Sequence, residues 1–184
     1  MELRRITHTG DSQLNEILCL YQEAFPSSER RELTQLEQLI AGEPSMFFHI
    51  IEEGKRAAGL FIYWKLENFY YLEHLAVYPE MRNCKIGQKV LDYILEYLPG
   101  ERLLEVEPVM DEMTARRINY YRRNGYEIVE KQYRQPDYNK PDVSYPLWIM
   151  SNKTYPDKTD LDKHIRIIKE EVYYKPLHLS RTVK

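Results

Sequence analysis

The chain has 184 residues, of which 43% are hydrophobic and 30% charged, and its formal net charge is −3. This length fits one domain with a substantial buried core, and the composition is that of an ordinary globular protein. The acidic balance disfavours a general attraction to nucleic acid or to acidic membranes, so we expect neither as a partner.

The two cysteines, Cys19 and Cys84, lie far apart in the sequence and form no CxxC pair. Their spacing predicts no metal site. Residues 1–10 lack the apolar stretch of a signal peptide, and no apolar run is long enough to cross a bilayer. We therefore expect a cytoplasmic protein.

The first half of the chain predicts one strand, two helices and three further strands. The strand covers residues 2–7, the first helix follows Gly10, and the second helix ends before Gly42 and Pro44. Three apolar runs then predict strands at 45–52, 56–66 and 69–78. A short link containing Gly54 joins the first two of these runs and predicts a hairpin.

The second half alternates between helices and strands. The predicted elements are a helix at 86–98, a strand at 102–107, a helix at 112–124, strands at 126–134 and 144–151, and a helix at 159–174. Asp111 is a candidate N-cap and Gly125 a candidate left-handed residue at the end of the second helix. Thr159 and Asp162 resemble a capping box for the last helix.

This order of elements predicts an α/β fold of the α+β type. We expect a mixed, mostly antiparallel central sheet of about seven strands, with helices on both faces and an added C-terminal helix. Residues 1–151 would form the domain, and residues 152–184 a helical extension packed on the domain or on a partner. A ligand should bind where the sheet changes direction.

The stretch HLAVYPEMRNCKIGQKVL, residues 74–91, connects a strand to a helix. The start of a helix carries unpaired backbone N–H groups and a partial positive charge, which together can hold a pyrophosphate. Arg82 and Lys85 add positive charge there. A single glycine, Gly87, is a weak signal, so on this stretch alone an ordinary loop with solvated basic residues is slightly favoured.

Residues 74–91 nevertheless resemble the acetyl-CoA-binding motif of the GNAT superfamily of acyl-CoA N-acyltransferases. That motif is an apolar strand ending L-A-V-x-P, followed by Gln/Arg-x-x-Gly-x-Gly/Ala. Arg82 and Gly87 match it, whereas Lys85 replaces the first glycine. We expect the backbone N–H of Lys85 to suffice; a positive φ at Lys85, or its side chain over the helix start, would indicate a closed loop.

A second block, INYYRRNGYEIV at residues 118–129, resembles another GNAT motif and follows the first in the order typical of the family. Tyr121 and Gly125 match its tyrosine and glycine. Thr114 and Arg117 replace the Asn-x-x-Ala that usually precedes the tyrosine. The resemblance extends over about residues 1–151 and is specific because both blocks occur together.

The resemblance implies acetyl-CoA as acyl donor and a small-molecule or peptide amine as acceptor, reacting directly in a ternary complex. The backbone of residues 75–77 would line the pantetheine arm and donate an N–H to the acetyl oxygen, and residues 82–88 would hold the pyrophosphate. The implied binding residues are Leu75, Ala76, Val77, Arg82, Asn83, Cys84, Lys85, Ile86, Gly87 and Gln88.

Acetyl transfer to an amine needs a base and an acid. A lysine-like amine has a pKa of about 10.4 and must lose a proton before it attacks, and the departing thiolate needs one back. Tyr121 is the expected acid by its match to the family tyrosine, although a buried core tyrosine is the alternative. Glu105, in a strand similar to that of relatives that acetylate protein N-termini, and Glu73 are the candidate bases. Strand alternation predicts that His74 faces away from Glu73.

Several alternatives remain open. One is a catalytically inactive GNAT-fold module that binds coenzyme A or regulates; another is an enzyme for longer acyl groups or hydroxyl acceptors. Residues 25–32 resemble an acceptor-side segment of the family but also fit a charged helix start. The carboxylates of Glu67, Glu73, Glu105 and Glu107 would favour a cationic acceptor. Either the final strands or the C-terminal helix would suit a homodimer contact.

Overall fold

A computed structural model of the chain describes residues 1–140 and 142–179, without the side chains of residues 178 and 179. The strands are β1 (Glu2–Ile6), β2 (Met46–Glu53), β3 (Arg56–Leu66), β4 (Phe69–Val77), β5 (Glu101–Val106), β6 (Glu127–Glu130), β7 (Arg134–Pro136), β8 (Ser144–Pro146) and β9 (Trp148–Ser151). The α-helices are α1 (Leu14–Ala24), α2 (Leu33–Gly42), α3 (Ile86–Tyr97), α4 (Glu112–Arg123), α5 (Lys158–Ile168) and α6 (Lys175–Leu179). None of the helices in these two ranges is long and apolar enough to cross a membrane.

Seven strands form one sheet in the order β1-β2-β3-β4-β5-β9-β6. Every neighbouring pair is antiparallel except β4 and β5, so the predicted mixed, mostly antiparallel sheet is confirmed. The parallel pairing ends at Leu72 opposite Leu104, although β4 continues to Val77. Beyond that point the backbone groups of β4 that face away from β3 have no ladder partner on β5.

Helices cover both faces of the sheet, as predicted. Buried residues of α1, α2 and α5 pack with Trp64 and Leu103 in one core, which we call the α1 face. Buried residues of α3 and α4 pack with Phe61 and Leu104 in the other, the α3 face. Leu103 and Leu104 are neighbours in β5 but pack in opposite cores, because the side chains of a strand alternate between its two faces.

The region after β6 differs from the two long strands expected at 126–134 and 144–151. It forms four short strands, of which β7 and β8 make a separate hairpin of two strands. The main sheet cannot simply continue through this region, because Pro146 lacks the N–H that a ladder needs. The strand β9 then inserts between β5 and β6, which leaves β6 at the edge.

The C-terminal helix begins one residue earlier than expected. Asp157, rather than Thr159, is its N-cap, and its side chain accepts a hydrogen bond from the Thr159 N–H at 2.9 Å. A π-helical segment, Lys169–Tyr174, joins α5 to α6. Leu161, Ile168 and Val172 are buried in the α1-face core. The last residues of the predicted extension, 180–184, lie outside the described residues.

Candidate active site

A cavity of about 510 Å³ lies where β4 and β5 stop pairing; we call it the central cavity. Its lining includes Glu73, Glu105, Tyr121 and the strand segment 75–77. A narrow gap between the two strands adjoins it and is lined by Leu72, Leu75, Leu104, Glu105 and Tyr121, among others. The structure therefore brings all three predicted catalytic side chains to one place.

A second cavity of about 460 Å³ lies over the start of α3; we call it the loop cavity. It is lined by most of residues 82–88 and by Tyr120. Val77 and Arg82 line both cavities, so the two are neighbours on the surface. An elongated ligand can thus extend from Glu105 to the helix start.

The loop before α3 keeps its backbone open to an anion. Lys85 is the N-cap of α3, and no described side chain caps this helix. Its first N–H groups, at Ile86, Gly87 and Gln88, have no partner within the helix because they precede the first full turn. The positive charges of Arg82 and Lys85 add to the positive helix end, where an anion is favoured.

Lys85 has a φ of +58° and Asn83 a φ of +64°. Asn83 adopts the left-handed region as its short polar side chain allows, and Lys85 takes the conformation that glycine adopts without strain. A positive φ at Lys85 is the feature that we expect of a closed loop. The side chain of Lys85 is nevertheless exposed, and the loop cavity remains open above the helix start.

Several groups of the other predicted loop residues are already engaged within the protein. The N–H groups of Arg82 and Cys84 are already bound within the turn, to Pro79 and Met81 oxygens at 3.2 and 3.4 Å. Ile86 is a core residue at 2% exposure. The Gln88 side chain donates to Asn124 at 2.8 Å and ties the start of α3 to the end of α4.

Gly87 lies close to the side chain of Tyr120. A Cβ placed on Gly87 would lie 3.1 Å from the Tyr120 hydroxyl oxygen, which is tighter than an ordinary contact. That hydroxyl is buried and has no hydrogen-bond partner among the described residues. Tyr120 therefore forms a wall of the loop cavity rather than facing the central cavity.

Tyr121 lies on α4, whose predicted ends are confirmed. Asp111 caps the helix in a capping box with Thr114, and Gly125 follows it with a φ of +83°. Thr114, which replaces the family's asparagine, is thus used to start the helix. Burial raises the pKa of Tyr121, so its hydroxyl keeps its proton at neutral pH. That hydroxyl makes no hydrogen bond to the described part of the chain.

Glu105 is a buried carboxyl group among tyrosines. Its Oε2 accepts a hydrogen bond from the Tyr173 hydroxyl at 2.8 Å, whereas Oε1 is buried and has no directed hydrogen bond among the described residues. Burial raises the pKa of Glu105 to about 7, although the hydroxyls of Tyr133, Tyr173 and Tyr71 act in the opposite direction. A carboxyl group with this pKa can both take and release a proton near neutral pH.

Glu73, the other predicted base, is engaged in an ion pair. Its Oε1 binds the Arg31 guanidinium, and its Oε2 accepts a hydrogen bond from the Trp64 indole at 2.8 Å. Both charged side chains of this pair are fully buried. Burial raises the pKa of Glu73, but the charge of Arg31 outweighs it and the net pKa is lowered. Glu73 therefore stays ionised and serves as counter-ion of Arg31.

His74 does not face away from Glu73, so that prediction is wrong. In the register of β3 and β4, Ile62 opposes His74 while Tyr63 opposes Leu72. Glu73 is therefore the extra residue of a β-bulge, and a bulge interrupts the alternation of side chains. His74 packs against Phe25 with ring centroids 4.2 Å apart, on the same α1 face as Glu73.

A cluster of tyrosines surrounds Glu105, and the sequence did not single it out. We call Tyr71, Tyr133, Tyr138 and Tyr173 the tyrosine cluster. Tyr71 and Tyr173 hydroxyls lie 3.0 Å apart, and Tyr138 donates to Tyr173 at 3.4 Å. The four come from β4, from the region of the β7–β8 hairpin and from the π-helical segment. Arg31, from the 25–32 segment, also stacks over the Tyr138 ring at 4.4 Å.

The mouth of the central cavity carries acidic and aromatic side chains. Phe25 and Glu29 of the 25–32 segment line it, together with Glu107, whose carboxylate pairs with Arg117. Burial and the nearby charge of Glu107 raise the pKa of Glu29. Glu67 does not belong to this group: it pairs with Lys163 at 2.9 Å and is absent from the lining of the central cavity.

A model of the acetyltransferase (GNAT) family matches residues 13–126. A comparison with curated protein sequences finds no significant match. A solved structure assigned to the GNAT family, from Bacteroides thetaiotaomicron, is 32% identical with a TM-score of 0.85 and covers 94% of this chain and 98% of its own.

Two more distant structures share the fold. An aminoglycoside 6'-N-acetyltransferase complexed with coenzyme A has a TM-score of 0.57 at 15% identity, covering 85% of this chain and 100% of its own. Arabidopsis thaliana Naa50 in complex with the bisubstrate analogue CoA-Ac-MVNAL has a TM-score of 0.54 at 20% identity, covering 80% and 96%. At these identities the likeness concerns the fold alone.

Proposed function

Since the chain belongs to the GNAT family of acetyltransferases, we propose that it transfers the acetyl group of acetyl-CoA directly to a primary amine in a ternary complex. Acetyl-CoA supplies an activated acyl group as a thioester. The acceptor would be a small molecule or a peptide.

One observation carries the proposal: the central cavity joins the gap between β4 and β5, where a proton-accepting carboxyl group lies, to the loop cavity over an open helix start. Glu105 and Tyr121 line both the gap and the central cavity. Arg82 lines both the central cavity and the loop cavity. A donor with a phosphate end and a thioester end fits this arrangement, because backbone N–H groups and positive charge lie at one end and the catalytic side chains at the other.

The chain's residues would act as follows. Glu105 takes a proton from the acceptor ammonium group, and the freed amine then forms the new C–N bond. A backbone N–H of the segment 75–77 that faces away from β3, and so has no β5 partner, stabilises the negative charge that develops on the carbonyl oxygen. Tyr121 gives its proton to the sulfur as the C–S bond breaks, and the second proton that the nitrogen loses on becoming an amide restores the Tyr121 hydroxyl. Glu73 holds Arg31 and takes no part in proton transfer.

Binding of the donor would depend on the residues from Asn83 to Gln88. The N–H groups of Lys85, Ile86, Gly87 and Gln88 point from the start of α3, and Arg82 contributes charge from its exposed side chain. The side chains of Ile86 and Gln88 would not contact the phosphates, because the first is buried in the core and the second is bound to Asn124.

The proposal is tested by incubating the protein with acetyl-CoA and a panel of primary amines while thiol release is followed. We expect release that depends on the amine, with calorimetry showing binding of coenzyme A. The loop is tested with the variant Gly87→Val. The added valine side chain would meet the Tyr120 hydroxyl, so we expect coenzyme A binding to weaken about tenfold or more. Absence of acetyl transfer to every amine, with coenzyme A still bound, would contradict an enzymatic role.

The second candidate is a GNAT-fold module that binds coenzyme A without catalysis, and the strained backbone at Lys85 is the observation that favours it. A non-glycine residue in this region costs about 1–2 kcal/mol, which the protein must recover elsewhere. Lys85→Gly tests this reading. Tighter coenzyme A binding and gained turnover would indicate an impaired loop; weaker binding would indicate that the lysine charge serves the donor.

A further inference from the structure

The π-helical segment Lys169–Tyr174 places one side chain directly on the candidate base. Tyr173 is 1% exposed, and its hydroxyl donates to Glu105 Oε2 at 2.8 Å. This contact joins the C-terminal extension to β5 across 68 residues of sequence. The segment lies outside residues 13–126, the part matched by the family model.

Hydrogen-bond accounting gives the Tyr173 hydroxyl a definite direction. A phenol has one proton to donate and can accept two hydrogen bonds. It lies 3.0 Å from the Tyr71 hydroxyl and accepts from Tyr138 at 3.4 Å, so its own proton is free for the carboxylate. The Glu105 oxygen that it binds is Oε2, which leaves Oε1 without a directed partner in residues 1–140 and 142–179.

Side chains from α2 and from the residues just before it hold this π-helical segment in place. Arg31, which also binds Glu73, donates to the Val172 carbonyl oxygen at 2.6 Å. Gln35 of α2 donates to the Pro176 carbonyl oxygen at 3.1 Å. A π-helical turn leaves backbone carbonyls available for such contacts, and such turns often occur at functional sites.

We propose that the C-terminal segment completes the active site, with Tyr173 as the positioning residue that binds Oε2 of Glu105 and leaves Oε1 to receive the proton of the acceptor amine. This rests on the proposed function above. The hydroxyl does not touch the reacting atoms; it fixes the carboxylate in the geometry needed for proton transfer.

The contact has a chemical consequence, because a hydrogen bond to the charged form of a carboxyl group lowers its pKa. Glu105 is faced by Tyr71 and Glu73 from β4, by Tyr133 and Tyr138 from the hairpin region, and by Tyr173 from the C-terminal segment. The hydroxyls of Tyr133, Tyr173 and Tyr71 all lower the pKa of Glu105, and Tyr173 is the one whose hydrogen bond to Oε2 has a defined geometry, at 2.8 Å. Without it, Glu105 should titrate at a higher pH.

The test is Tyr173→Phe, which keeps the ring and removes the hydroxyl, with Tyr174→Phe as the matched control. Tyr174 is the next residue, and its hydroxyl makes no hydrogen bond with the described residues. We expect the rising limb of the pH profile of kcat/KM to move to higher pH by about one unit in Tyr173→Phe, equivalent to about a tenfold loss on the acidic side. The KM for acetyl-CoA should not change, and Tyr174→Phe should match the wild type. If Tyr173→Phe is active and the rising limb of its kcat/KM profile lies at the same pH as in the wild type, the proposal is overturned.

A second measurement tests the Tyr173–Glu105 contact without relying on turnover or on the folding of Tyr173→Phe. Fluorotyrosine at position 173 keeps the hydroxyl and makes it a stronger donor, so Glu105 should titrate at lower pH. The titration is read by carbon NMR of labelled glutamate carboxyls, assigned with Glu105→Gln. If no amine is acetylated, the proposed function fails, while opposite shifts in the two variants still support the Tyr173–Glu105 link. Equal titration in both variants and the wild type overturns it.

Discussion

Glu73 and Glu105 lie on neighbouring strands, line the same cavity and are both buried on the α1 face, yet their surroundings differ in one respect. Glu73 has a full positive charge against it from Arg31. Glu105 is surrounded by hydroxyl groups, of which Tyr173 donates a hydrogen bond to Oε2, and the charge that acts on it from Glu73 has the same sign as its own. The pKa of Glu73 is lowered, whereas that of Glu105 is raised to about 7.

The difference teaches that burial in a cleft does not by itself identify a base. The partner decides the role: an ion pair fixes the charge of Glu73 and makes it structural, while uncharged donors leave Glu105 able to change its charge near neutral pH. Two carboxyl groups whose environments separate their pKa values in this way typically divide a structural or electrostatic role from proton transfer.

The largest expected effect is on turnover. Glu105→Gln keeps the shape of the side chain but cannot accept a proton, so we expect kcat to fall by about 10²–10⁴ with little change in the KM for acetyl-CoA. Steady-state kinetics of thiol release measure this. Glu112→Gln, an exposed glutamate paired with Arg116, is the control and should retain full activity. Full activity of Glu105→Gln would remove Glu105 as the base.

Glu73→Gln should act chiefly on stability. It leaves the buried charge of Arg31 without a counter-ion, and we expect the free energy of unfolding to fall by about 3–5 kcal/mol. Urea denaturation measures this loss. Glu67→Gln breaks an exposed pair with Lys163 and should cost less than about 1 kcal/mol. Equal small losses in both variants would contradict the counter-ion role of Glu73.

The two carboxyl groups should also have opposite effects on stability as pH changes. The folded-state pKa of Glu105 lies above its ordinary value of 4.5, so its contribution is complete below pH 4.5 and is lost as pH rises through about 7. The pKa of Glu73 is lowered, so its contribution is present above its ordinary range and is lost as pH falls.

Unfolding of the wild type and of Glu105→Gln between pH 5 and 8 isolates the Glu105 effect. We expect the wild type to lose about 3 kcal/mol relative to the variant over the range in which Glu105 ionises. Parallel pH dependences of the two proteins would show that Glu105 titrates normally.

The smallest expected effect is that of Tyr121→Phe, which leaves both carboxyl groups untouched on the other face of the sheet. We expect about a tenfold decrease in kcat, because the leaving sulfur loses its proton donor while water can partly replace it. Binding of coenzyme A, measured by calorimetry, should stay within twofold. Normal turnover of Tyr121→Phe would show that Tyr121 is a core residue and not the acid.

Much of the fold could be predicted from the sequence because its signals are local. The apolar stripe of α3, the Asp111 cap and the turn at Gly54 depend on residues within a few positions of each other, and the structure has each of them. Both motif blocks were also visible, since each joins a strand or helix to a glycine at fixed spacing. The structure then brings Tyr121 and Glu105 together at the gap between β4 and β5.

The contacts that distinguish the two glutamates could not be predicted in the same way. In the sequence, Arg31 is one charged residue in a polar segment, and Tyr173 is one of 16 tyrosines. Neither spacing nor composition connects Arg31 to Glu73 or Tyr173 to Glu105. The bulge at Glu73 likewise has no sequence signal, so His74 was assigned to the wrong face.

The sequence by itself determined the family, the order of the strands and helices as far as β6, and the set of groups from which a base and an acid are drawn. Tertiary structure alone decided which glutamate can exchange a proton, because a pKa depends on what packs against a group rather than on its neighbours in the chain. Arg31 reaches Glu73 across 42 positions and Tyr173 reaches Glu105 across 68, and folding is what places each partner there.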